Sequence, residues 1–394
     1  MKPFRSAWWL PGAHAATLWG KFGRNEPELP VRWETVEMSD GDFVELAHYD
    51  IASIDALYKK FSHSNESPPT TSNAATLVSD RTPRLLILHG LEGGVNSNYV
   101  RGLMREAHAR GWNATLMLFR SCGPTPNRLT RSYHSGETTD PLAIIQKCAH
   151  QQPLAPIGAV GVSLGGNVLC KLLGQQGDAL PVQFQAAAAI SAPFDLARAS
   201  RYIGRGFGKV YENAFLRSLV PKAVKKIGRH PELSSLKPIH NARTIWEFDD
   251  EFTSPVHGFR NAADYYAQSS SLQFLSGITR PTLLLSAVND PFLPPEVLDE
   301  VRAATAANSA ITIDFPANGG HVGFVGGSAP WRPSYYAEPR AVAFIAQHLR
   351  AMNVNSASPD MNINGSQIQA HANTPSRSHT SSTETQSHAH REAR

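Results

Sequence analysis

Gly161-Val162-Ser163-Leu164-Gly165, preceded by Ile157-Gly158-Ala159-Val160 and followed by Gly166-Asn167-Val168-Leu169-Cys170-Lys171-Leu172-Leu173, decides how the rest of the chain is read. The run before the pentapeptide is short and apolar, the pattern of a buried strand, and the run after it is apolar at helical spacing. A strand, a sharp turn and a helix with serine at the apex make a nucleophile elbow. The turn strains the serine backbone and holds its oxygen clear of the sheet, while the glycines let strand and helix pass closely. The bare G-x-S-x-G pattern arises by chance in unrelated chains; its flanks give it weight here.

Outward from the elbow, strands and helices alternate. Leu85-Leu86-Ile87-Leu88, Ala114 to Phe119 and Ala187-Ala188-Ala189-Ile190 read as strands, with helices over Tyr99 to Arg110, ended by Gly111, and Leu142 to His150. The rhythm returns with the strand Thr282-Leu283-Leu284-Leu285, the helix Glu296 to Ala304, the strand Ile311 to Phe315 and a last helix from Pro339 to Met352. This alternation predicts an α/β fold with a mostly parallel central sheet flanked by helices. Upstream, Arg32 to Met38 and Phe43 to Tyr49 flank Ser39-Asp40-Gly41-Asp42, a hairpin signal. Residues 196–275 carry no apolar strand run and are helical in flavour, which predicts a cap inserted between two sheet strands over the sheet's C-terminal edge. One domain is therefore expected over residues 1–352, with a polar loop insertion at 61–80 and a disordered polar tail at 353–394.

The 394 residues are 41% hydrophobic, enough for a sizeable core, and carry a net charge of +4. That excess is scattered in short groups such as Lys222, Lys225, Lys226 and Arg229, which read as the solvated face of a surface helix. No concentrated basic stripe marks a nucleic-acid partner. Cys122, Cys148 and Cys170 are too few and too scattered for a disulfide framework or a zinc site, which points to a reducing, cytoplasmic setting. The N-terminus lacks the pattern of a signal peptide, and no run approaches the ~18 apolar residues of a membrane span. Trp8, Trp9 and Trp19 are expected to pack against the body of the protein.

A serine becomes a nucleophile at neutral pH only when a base takes its proton and an acid holds that base in the right tautomer. Asp290, in Asn289-Asp290-Pro291, follows one strand; His321, in Gly319-Gly320-His321-Val322-Gly323, follows the next. Both fall where strand C-termini converge. Asp195 is the rival acid, and His89 and His134 are the rival bases. Asp314 lies within a strand, and Asp249 and Asp250 read as surface or capping groups of the cap. Acyl transfer also needs donors for the developing oxyanion. The backbone N–H of Leu164 is the first by position, and the loop His89-Gly90-Leu91-Glu92-Gly93-Gly94 supplies the second at Leu91.

Five ordered motifs, His89-Gly90-Leu91-Glu92-Gly93, Phe119-Arg120-Ser121-Cys122-Gly123, Tyr133-His134-Ser135-Gly136-Glu137-Thr138, Gly161 to Asn167 and Gly319 to Phe324, together resemble the YheT-type branch of the α/β-hydrolases, the AB hydrolase-4 family. The opening Trp8 to Thr17 and the cap segment Glu247-Phe248-Asp249-Asp250 are similar to that family as well. The resemblance implies the α/β-hydrolase fold and a carboxylic-ester hydrolase with a triad of Ser163, Asp290 and His321, without metal or cofactor. A small-molecule or lipid ester is the substrate class it implies, some eukaryotic relatives acting on phospholipids. An acyltransferase using the same triad, or a binding protein on the same fold, are the alternatives.

Overall fold

The computed structural model describes residues 3–51, 81–236 and 239–351. The expected insertion at 61–80 and the expected tail beyond 352 lie outside these residues. Among the described residues, the main sheet is built from β1 (Arg32–Glu37), β2 (Phe43–Tyr49), β3 (Arg84–Leu88), β4 (Asn113–Leu118), β5 (Ile157–Val162), β6 (Phe184–Ile190), β7 (Thr282–Leu285) and β8 (Ile311–Asp314). Their spatial order is β1-β2-β4-β3-β5-β6-β7-β8. From β4 to β8 every pairing is parallel, whereas β1 and β2 form an antiparallel hairpin and β2 runs antiparallel to β4.

The apolar runs that flagged strands have a simple cause. Successive side chains of a strand point to opposite faces, and here both faces are covered. Leu86, Leu88, Ala159 and Leu284 pack with Val168 and Leu169 of the elbow helix and with Ile144, Ile145 and Val297. Leu85, Ile87, Val160 and Leu283 face the other way, against Leu103 and Met104 of the helix Asn98–His108 and Phe344 and Ile345 of the helix Ala337–His348. A parallel sheet buried on both sides needs such continuous runs.

Two consequences of this order position the site. Strand β3 pairs with both β4 and β5, Leu86 opposite Thr115 on one side and Ala159 on the other. The loop leaving β3 therefore emerges beside the loop leaving β5. Strands β7 and β8 lie further along the same edge, and their exits bring residues 290 and 321 back over it.

Between β6 and β7 the chain forms the helices Leu196–Ile203, Gly208–Arg229, Ile245–Phe248, Ser254–His257 and Ala262–Ser269. These have an apolar cluster of their own, Leu216, Leu219, Ala223, Ile239, Phe248 and Phe252, against which Leu91 packs. Lys226 departs from the solvated reading of its helix. It is 3% exposed, and its ammonium donates to Asn127 Oδ1 and to the carbonyls of Leu129 and Arg131 at 2.7 to 2.9 Å. Burial lowers its pKa to about 8.

A short hairpin, β9 (Val325–Ala329) with β10 (Arg332–Tyr335), was not legible in the sequence, because glycines and a proline interrupt its alternation. The N-terminal segment docks on it: Ala7 N–H donates to Val325 O at 2.9 Å, and the indoles of Trp8 and Trp9 donate to Ser328 O and Gly327 O. Trp9 and Trp19 pack edge to face at 4.8 Å, as expected, but the ring of Trp8 remains 78% exposed. All three cysteines are free thiols.

Candidate active site

Ser163 stands at the turn between β5 and the helix Leu164–Gln176 with φ 53° and ψ −118°, a conformation that costs a non-glycine residue energy. The turn is held from both ends. Ser163 N–H donates to Ile190 O at 2.8 Å, and Gly166 and Asn167 donate back to Ser163 O at 2.8 and 3.1 Å. A Cβ at Gly161 would collide with the Gly165 carbonyl, and one at Gly165 with the carbonyl of Leu88. The two glycines are there because backbone passes backbone. Asn167, the last residue of the elbow motif, fixes the helix: its amide donates to Ser135 O and Ser269 O and accepts from Ser271 N–H, all between 2.8 and 2.9 Å.

The structure brings Ser163, His321 and Asp290 together. Ser163 Oγ lies 2.9 Å from His321 Nε2, and His321 Nδ1 lies 2.9 and 3.1 Å from the two carboxylate oxygens of Asp290. Both partner side chains are nearly withdrawn from solvent, at 9% and 3% exposure. Facing a carboxylate, Nδ1 carries the ring proton, which leaves Nε2 as an acceptor toward the serine hydroxyl. Phe292 lies flat against the imidazole, centroids 4.0 Å apart and 19° from parallel.

Sequence reading missed how the histidine loop is fastened. Three successive amides each donate to a side-chain oxygen from a different segment: Gly320 to Asn289 Oδ1 at 3.0 Å, His321 to Thr17 Oγ1 at 2.9 Å, and Val322 to Ser191 Oγ at 3.1 Å. Thr17 in turn donates to Ala13 O at 2.8 Å, and a Cβ at Gly323 would collide with the Ala16 carbonyl. The N-terminal helix Ala13–Leu18 is thus seated directly on the loop that carries His321. The opening motif was visible; its target was not.

Leu91 and Leu164 line one cavity with Ser163 and His321. Neither amide N–H has a hydrogen-bond partner among the described residues. Glu92, at φ 55°, fixes the Leu91 loop: its N–H donates to Tyr133 Oη, its carboxylate accepts from Tyr133 at 3.0 Å and from the Ser218 hydroxyl, and it pairs with Lys222 at 2.8 Å.

The rivals are occupied elsewhere. His89 is fully buried; its Nδ1 donates to Gly90 O at 2.7 Å and its Nε2 accepts from Phe119 N–H at 3.1 Å, and burial lowers its pKa to about 4. His134 Nδ1 accepts from Gly136 N–H, and burial holds this ring also near 4. Asp195 caps its helix through Arg198 N–H and pairs with the same arginine. Asp314 accepts from Tyr336 and Arg340. Asp250 is a capping group, accepting from Ala262 N–H, but Asp249 is not at the surface: it lines the cavity.

That cavity, about 320 Å³, is walled on the sheet side by the Ser163 and Leu91 loops and on the other by apolar side chains of residues 196–275, Ile203, Leu219 and Phe248 among them. A family model described as the alpha/beta hydrolase fold matches residues 83–327. The putative esterase YheT of Escherichia coli (strain K12) is 35% identical over 340 residues, which cover 86% of this chain and 91% of that protein. The chain belongs to the α/β-hydrolases, in their YheT-type branch. Phospholipase ABHD3 of Mus musculus is 27% identical, with 83% of this chain and 74% of that protein covered. A monoacylglycerol lipase of Saccharomyces cerevisiae is 27% identical over 270 residues, 66% of this chain and 58% of that protein. This α/β-hydrolase is a carboxylic-ester hydrolase. Among its described residues no helix is long and apolar enough to cross a membrane.

Proposed function

We propose that this α/β-hydrolase cleaves its ester through Ser163 as nucleophile, His321 as general base and acid, and Asp290 as the group that orients His321. The reading rests on one observation above the others: the unbroken line of hydrogen bonds from Ser163 Oγ through both imidazole nitrogens to Asp290, each 2.9 Å long. Ser163 Oγ attacks the ester carbonyl as its proton passes to His321 Nε2. The imidazolium so formed is stabilised by Asp290 and gives the proton to the departing alkoxide, which leaves as an alcohol. A water then repeats the sequence on the acyl-serine, releasing the acid and restoring the serine. The oxyanion formed in each half is held by the free N–H groups of Leu91 and Leu164.

We take residues 196–275 as a cap whose apolar inner wall receives the hydrocarbon part of a small-molecule or lipid ester. The relatives named for phospholipid and monoacylglycerol substrates support an acyl ester of that kind. The free thiols fit a reducing, cytoplasmic setting. Ser163→Ala is expected to abolish hydrolysis of short p-nitrophenyl esters while leaving the thermal melt unchanged. A variant that keeps most of its turnover would refute the nucleophile. Product analysis with and without an added alcohol separates hydrolysis from acyl transfer, since an acyltransferase would form the new ester in preference to the free acid.

A further inference from the structure

The cavity has a second polar pole that the ester chemistry does not use. The helices Ile245–Phe248 and Ser254–His257 are joined without a break by one π turn, Asp249–Thr253, a local widening frequent at functional sites. Asp249 opens that turn and lines the same cavity as Ser163 and His321, beside Tyr266, Thr253 and Ser200. Its two oxygens each accept one hydrogen bond, Oδ1 from Thr253 Oγ1 and Oδ2 from Tyr266 Oη, both at 2.6 Å.

Those two bonds leave the carboxylate under-served. An ionised carboxylate has about four acceptor positions, so each oxygen of Asp249 has room for a further donor. Among the described residues no lysine or arginine pairs with it, although Lys225 and Arg229 line the same cavity. Apart from those two basic residues the lining of the cavity is mostly apolar, with Phe248, Phe252 and Leu219 in it. Burial accordingly raises its pKa to about 6. Such a group is costly unless a donor completes it. A structural tie between Thr253 and Tyr266 would need no charge; an amide would serve.

We infer that Asp249 is a specificity-determining residue of the cavity, where it receives a hydrogen-bond donor, a hydroxyl or a protonated amine, carried by the substrate away from the scissile ester. The inference rests on Ser163 being the nucleophile of the same cavity. It makes the preferred substrates acyl esters with a polar, donating group on an otherwise apolar chain. The matching acceptor is what the cavity presents beyond the ester site, so a plain alkyl ester leaves the carboxylate uncompensated.

The test uses the full-length chain and two matched series, n-alkyl, ω-hydroxyalkyl and ω-aminoalkyl esters of one acid, and p-nitrophenyl esters of plain and ω-hydroxy acids, over several chain lengths. The quantity read is the ratio of kcat/KM for the donor-bearing ester to that of its plain counterpart within one enzyme, so that any general loss of activity cancels. The wild type is expected to favour a donor-bearing ester by about tenfold at one chain length, and Asp249→Asn to bring that ratio to within twofold of unity. Whether the hydroxyl or the ammonium ester shows the preference tells which donor is bound. Asp249→Ser, which also removes the carboxylate, should lose the preference as well, and it serves if Asp249→Asn proves poorly folded. A wild-type ratio near one throughout both series, or a preference undiminished in Asp249→Asn, overturns the inference. Failure of the underlying reading looks different: no plain ester is hydrolysed and Ser163 takes up no fluorophosphonate.

Discussion

Thr17 shows how far a side chain can act from the reacting atoms. It touches neither Ser163 nor the imidazole, yet its hydroxyl accepts from the amide of His321 and so sets where that ring hangs. Removing one such hydrogen bond costs about 1 kcal/mol, felt here as misplacement of the proposed base. Thr17→Val should therefore lower kcat about fivefold with KM little changed, and Thr17→Ser, which restores the hydroxyl, should recover it. A valine variant with wild-type kcat, or a serine variant as slow as valine, would contradict this role. Ser163, Asp290 and His321 were legible as candidates because strand, glycine and order in the chain bear on them directly. His89, a rival base by sequence, instead satisfies backbone groups at a strand end before Gly90. Thr17, Glu92 and Asp249 were not legible. Their roles depend on which segment lies opposite, and no local pattern encodes that.

At the scale of elements, apolar runs placed the main-sheet strands well, since β3 to β7 are buried on both faces and tolerate little else. Boundaries moved where polar residues continue a strand, as Phe184-Gln185-Ala186 does ahead of the predicted start at Ala187. The β9–β10 hairpin escaped notice because Val325-Gly326-Gly327-Ser328-Ala329 has no alternation to read. The Phe119-Arg120-Ser121-Cys122-Gly123 motif gained a structural meaning only from the fold. Arg120 is buried and joins three elements, bonding both oxygens of Asp140 at 2.7 Å, Asp40 at 2.6 Å and Asp42 at 3.3 Å. These bonds tie the β1–β2 turn and the helix Thr139–Gln151 to the end of β4. Lys226 does the same for the helix Gly208–Arg229, an inward lysine that composition alone assigns to solvent.

For the molecule as a whole, three withdrawn histidines make the fold sensitive to acid. Burial lowers His89 and His134 from 6.5 to about 4, and lowers His257, 4.5 Å from His134 between ring centroids, to about 2. A lowered folded-state pKa contributes stability that is complete above the unfolded value and is lost as pH falls below it. The loss therefore begins near pH 6.5 and grows toward pH 4. Asp249, raised to about 6, acts in the opposite sense between about 3.8 and 6, as do Asp140, Glu212 and Glu338, which burial also raises; His48, lowered by burial, and Glu137, lowered to about 2, add to the loss in acid. The melting temperature should fall by several degrees between pH 7 and pH 5; an equal or higher value at pH 5 would contradict the burial of neutral imidazoles.

The assembled line from Ser163 to Asp290 is tested most directly by reacting the full-length protein with a fluorophosphonate and locating the adduct by peptide mass spectrometry. One adduct per chain is expected, on the peptide containing Ser163, absent in Ser163→Ala and formed far more slowly in His321→Ala. A modification on another serine with loss of esterase activity, or labelling of Ser163 at the same rate without His321, would show that these three side chains do not act together.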